Sequence, residues 1–143
     1  MAINYNEQLN PTATNMDKVA HRKVVRLTNA DFVTGGVASV KCVLPADASI
    51  ISIGFWKRTQ FSGGGVTAAT LSVGIPGTPT NFVSAYDVLT PAAGTSVDMT
   101  PISNILQPLS LPLGPDISLL FTGTATTGNP TAGEIILSVV YVR

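Results

Sequence analysis

Charge is what this sequence has least of. Of its 143 residues only 11% are Asp, Glu, Lys or Arg, against the roughly 25% usual in soluble domains. The eight basic and eight acidic side chains cancel to a net charge of zero, and mean hydropathy is +0.36. Nucleic acids and anionic membranes are held by a surplus of Lys and Arg, so neither is expected as the main partner. With so few charges, much of the surface must be Thr, Ser, Asn and Gly, or must be covered by another chain.

Histidine and cysteine are scarcer still, one of each. A single Cys42 excludes an intramolecular disulfide and suits a reducing compartment. In VASVKCVLP it is expected to be a buried thiol beside Val40 and Leu44. A catalytic triad needs an imidazole against its nucleophile, and His21 stands next to Arg22 and Lys23 with no GxSxG in the chain. One His and one Cys cannot fill a tetrahedral zinc shell. Asp47, Asp87, Asp98, Asp116 and Glu134 are dispersed at or near expected turns, which leaves a loop calcium site as the only open metal reading. No GK[ST] follows the glycines, and no helix that could seat a phosphate. These absences lead us to expect no catalytic residue, no metal and no cofactor. Trp56 adjoins Lys57 and Arg58, but Phe55 and Trp56 are better read as packing at a strand end than as a stacking platform for single strands.

Long apolar runs are missing as well. None approaches the roughly 18–20 residues of a membrane helix, and MAINYNEQLNPT lacks the basic start and apolar run of a secretory signal. We expect a soluble, unexported protein of one domain.

What is present is short β-branched runs between turns. Residues 1–20 are polar and Asn-rich and read as an extended N-terminal arm or a loosely attached segment. Its apolar residues Ile3, Tyr5, Leu9 and Met16, with Arg22 and Lys23 just beyond, are candidate partner contacts. From His21 to Arg143 the chain reads as a single domain. HRKVVRLTN places Val25 and Leu27 on one face and Arg22, Val24, Arg26 and Thr28 on the other. VASVKCVLP stops at Pro45. In ASIISIGFWKRTQF, Ile51, Ile53 and Phe55 share one face, and Ile50, Ser52, Gly54 and Trp56 the other. Gly63 to Gly65 make a wide turn. Leu71, Val73 and Ile75 then alternate cleanly with Thr70, Ser72 and Gly74. NFVSAYDVL and TSVDM are weaker strands, the Pro-rich 101–116 sustains neither helix nor central strand, and DISLLFTGTATT and EIILSVVYV close the chain. The pattern predicts an all-β fold, an antiparallel β-sandwich or jelly roll of about eight strands.

The last run carries the main functional expectation. In EIILSVVYV, Ile135, Leu137, Val139 and Tyr141 form one face, while Ile136, Ser138, Val140 and Val142 form another that is nearly as apolar. A sandwich strand has one face in the core, so the second row needs cover from a loop or from a neighbouring subunit. Self-association is favoured, with Ile136, Val140 and Val142 as the oligomer interface. Charge is also unevenly spread. Residues 1–58 hold seven basic and four acidic side chains, residues 59–143 one basic and four acidic. Such a subunit could dock head to tail or onto a partner of either sign; a solvated scatter of charge is the plain alternative.

The order V-x-C-x-LPADASIISI, TLSVGIPGTPTNFVSAYDVL and T-x-GEIILSVVYV resembles small β-sandwich proteins of tailed-bacteriophage virions, above all capsid decoration or cement proteins. The matching elements, Leu44 to Ile53, Leu71 to Val88 and Gly133 to Tyr141, span about half the chain. The resemblance implies a structural protein rather than an enzyme. It would be made in the bacterial host cytoplasm and sit as a trimer on the outer capsid surface, clamping major capsid protein subunits. Phage tail and head-fibre proteins share this grammar. From another class, a carbohydrate-binding sandwich would want exposed aromatics on one face or a calcium loop.

Overall fold

A computed structural model describes residues 20–46, 48–98 and 116–142, the Asp98 side chain excepted. Ile3, Tyr5, Leu9 and Met16, the Pro-rich 101–115 and Asp47 lie outside the described residues. The strands are β1 (Ala20–Thr28), β2 (Val33–Thr34), β3 (Val37–Leu44), β4 (Ser49–Ser62), β5 (Ala68–Ile75), β6 (Thr78–Asp87), β7 (Ser96–Asp98), β8 (Ile117–Thr126) and β9 (Ala132–Val142), with a 3₁₀ turn at Asn29–Asp31.

They form two sheets. One has the order β1-β9-β4-β7; the other runs β8-β5-β6, with β3 and the two-residue β2 both on the far side of β8. Every pairing is antiparallel except β2 with β8. With β2 set aside, eight strands make two four-stranded sheets, the chain crosses from one sheet to the other at every connection except the β5–β6 hairpin, and the first strand pairs with the last. This is jelly-roll connectivity.

The alternation written into each strand decides which side meets the core. In β9, Ile135, Leu137, Val139 and Tyr141 are buried, and in β8, Leu119, Phe121 and Ala125. Between the sheets Phe32 meets Phe61 edge-on at 4.7 Å, and Phe55 meets Tyr86 at 5.3 Å.

Two expectations about facing fail, both at bulges. In β4, Ile50 pairs with Tyr141 and Ser52 with Val140, which leaves Ile51 as an extra residue. The bulge turns Ile50 into the core and Ile51 outward, 44% exposed. In β3, Val40 pairs with Leu120 and Cys42 with Leu119, so Lys41 is the extra residue. Cys42 is buried as expected, but Val40 points to solvent at 50% exposure. Burial also pushes the Cys42 thiol up, with nearby Lys23 opposing.

Two loops are tied down by features with no hydrophobic signature. Lys57 is fully buried; its Nζ donates to the carbonyls of Leu89 at 3.0 Å and Pro91 at 2.5 Å and lies 5.7 Å from the centre of the Phe61 ring. Its backbone accepts from Gly94 and donates to Thr95, so β4 holds the loop that leads into β7. At the other end, Gly64 has φ +61° and its backbone passes so close to Asn129 that a Cβ would stand 1.7 Å from that carbonyl oxygen. Only glycine permits that crossing of loops.

Candidate assembly surface

The outer face of the β1-β9-β4-β7 sheet collects the residues that sequence reasoning singled out in β9. Cross-strand register sets them in rows: Arg22, Val140 and Ser52; Val24, Ser138 and Gly54; Arg26, Ile136, Trp56 and Ser96. Ile136, Val140 and Val142 are half-buried on this face, opposite the core row. Around them stand Val24 at 59% exposure and Trp56 at 45%. Gly54 and Ser138 lack bulk, so a groove of about 240 Å³ opens between Trp56 and Arg22, with Ile136 and Ser96 in its wall.

Trp56 is thus an exposed aromatic on the sheet face, and packing at a strand end does not account for it. The available signal was its parity with Ser52 and Gly54. Phe55, its neighbour, is buried as expected.

Charge on this face is basic. Arg22 donates from Nε to Ser138 Oγ at 2.7 Å, and among the described side chains no carboxylate lies within ion-pair reach of it. Arg26 is hydrogen-bonded to Glu134, and Arg58 lies 3.7 Å from the same carboxylate. Hydrogen bonding by Arg26 holds the Glu134 carboxyl below its ordinary range; slight burial opposes this, and the charges of Arg26 and Arg58 reinforce it. Glu134 therefore belongs to a strand face and not to a turn. Three arginines from the basic half of the sequence share this surface, which is where its charge asymmetry becomes spatial.

The other singled-out residues are placed elsewhere. Lys23 pairs with Val139 and so points to the opposite side of β1 from Arg22. Both belong to a paired strand. His21 stacks on Tyr141 at 5.3 Å. Asp87 closes a turn by accepting from the backbones of Leu89 and Thr90. Burial raises its carboxyl, but hydrogen bonds from Thr90 and Leu89 and the charge of Lys57 outweigh that and hold it low. Among the described residues no three His, Cys, Asp or Glu side chains come together.

No family model matches the sequence, and no curated protein matches it either. Solved structures do match the fold. A chain of the "Cyanophage Pam1 capsid asymmetric unit" aligns with a TM-score of 0.63 at 18% identity, over 87% of this chain and 85% of that one. A chain of the "Capsid of Ralstonia phage GP4" aligns with a TM-score of 0.54 at 24% identity, over 89% of this chain and 84% of that one. The likeness is one of fold, and it extends over nearly the full length of each partner.

Proposed function

We propose that this protein is a structural component of a bacteriophage virion. The finer reading is a cement or decoration protein that binds the outside of the head as a trimer and stabilises the major capsid protein lattice. The observation that carries it is the jelly roll shared over 87% of this chain and 85% of a chain from a phage capsid structure. A basic, apolar sheet face supports it, because such a surface is suited to protein contact. Holding a shell together takes geometry and surface and needs no acid, base or metal. In this reading the arm expected over residues 1–20 adds contacts to the shell, and three arms on one trimer bind with avidity.

Immunogold labelling of parent phage particles with an antibody to this chain tests the reading. Gold on the head surface is the expected result. Gold confined to the tail or fibres would replace cement with the tail-associated alternative, and unlabelled, chain-free virions would overturn the virion role. A second reading, carbohydrate binding, is favoured by the exposed Trp56 beside Arg22 and the Ser96 and Ser138 hydroxyls. Reproducible binding on a glycan array, lost in Trp56→Ala, would establish it.

A further inference from the structure

We infer that subunits pair head to tail, the outer face of the β1-β9-β4-β7 sheet of one copy seating on the β3 ridge of the next. The inference rests on the self-assembling role proposed above and names the second surface that role requires.

Strand edges are poor candidates for the contact. The β1 edge carries Arg22, Lys23 and Arg26, and β3 is bulged at Lys41. β6 contains Pro79, two register shifts and Ala85 at φ 48°, and β7 has only three residues. Charges, bulges, proline and shortness all discourage strand addition, so contact between copies goes through faces.

The exposed large apolar side chains among the described residues fall into two sets. Val24, Ile51 and Trp56 lie with the first sheet, and Val40 and Val43 form a ridge on the outer side of β3 in the other, while Val37, paired with Gly123, is on the opposite side of that strand. Val40 is exposed because the Lys41 bulge turns it out, and its neighbour Leu120 is half-buried beside it. A contact between two identical faces would cover the first set and leave Val40 and Val43 in water. A head-to-tail contact covers both sets, each against the other.

Charge points the same way. Among the described side chains the first face bears three arginines and one carboxylate, so two copies of it would bring like charges together. On the ridge, Lys41 is matched by Asp31 at 3.0 Å. Asp116 is exposed immediately before β8, whose Ser118 pairs with Val43. The ridge thus offers a carboxylate to a face whose Arg22 has none.

Two surface variants of the full chain decide the matter, Trp56→Lys on the face and Val40→Lys on the ridge. Lysine at both sites keeps the two altered surfaces from pairing with each other. Sedimentation equilibrium is expected to show the wild type assembled and each variant alone at the 14.8 kDa of a monomer. An equimolar mixture of the variants restores one intact contact and sediments at twice that mass, and this recovery also shows that both variants fold. Three results would overturn the pairing: a variant that assembles like wild type, a mixture that stays monomeric, or a wild type that is monomeric at every concentration. A monomeric wild type that still labels phage heads would end the head-to-tail contact and leave the virion role standing.

Discussion

Lys57 shows how a single residue acts against its reputation. Lysine is almost never fully buried unless its ammonium is satisfied, and here two carbonyls and a ring face satisfy it. Burial pushes its ammonium below the ordinary lysine value, with Asp87 opposing. Lys57→Met keeps the stem but strips the Leu89 and Pro91 carbonyls of their donor. Unfolding in urea is expected to show a loss of about 1–3 kcal/mol, whereas Arg26→Ala, at a side chain 63% exposed, is expected to leave the unfolding midpoint nearly unchanged. Glycine supplies a second contrast. Gly64→Ala combines a left-handed φ with a clash against Asn129 and is expected to cost about 2 kcal/mol or more. Gly65 also has positive φ, +74°, but nothing stands within 4 Å of its would-be Cβ. Gly65→Ala is therefore expected to cost only about 1 kcal/mol. Equal losses at the two positions would mean that the loop crossing does not constrain the fold.

At the scale of the element, period-2 alternation made most strands legible. In β1 and β9 the buried set is the one the pattern names, because the unbroken antiparallel ladder between them keeps strict parity. Parity broke where the ladder broke. The bulges at Ile51 and Lys41 depend on partner strands about 90 and about 80 residues away, and no local signal marks them. The β9 row Ile136, Val140 and Val142 was legible as a second apolar face; Trp56 and the arginines beside it were not, since only register brings β1 and β4 alongside β9. That register also yields a pH prediction. Glu134 and Asp87 are held low in the folded chain, so their contribution is full above the unfolded carboxylate range near pH 4 and is lost as pH falls through their folded values. Thermal melts are expected to show stability falling on acidification below about pH 4.5, with a shallower acid limb in Glu134→Gln. An unchanged limb in that variant would remove Arg26 and Arg58 from the account.

For the molecule as a whole, topology was beyond the reach of sequence pattern. Alternation predicts strands, but the closure of β1 on β9 and the interleaving of two sheets come from long-range pairing. The result is a sandwich with a filled core and an outer sheet face whose described side chains are apolar, basic and poor in carboxylates. If that face is a contact between copies, Val140→Lys, half-buried there beside Arg22 and Ser52, will disrupt assembly and leave the sandwich folded. Sedimentation equilibrium of the wild type beside Val140→Lys, with circular dichroism of both, is the most direct test. The account predicts an oligomeric wild type, a monomeric variant and matching strand spectra. A wild type that is monomeric at every concentration, or a variant that stays oligomeric, would contradict it.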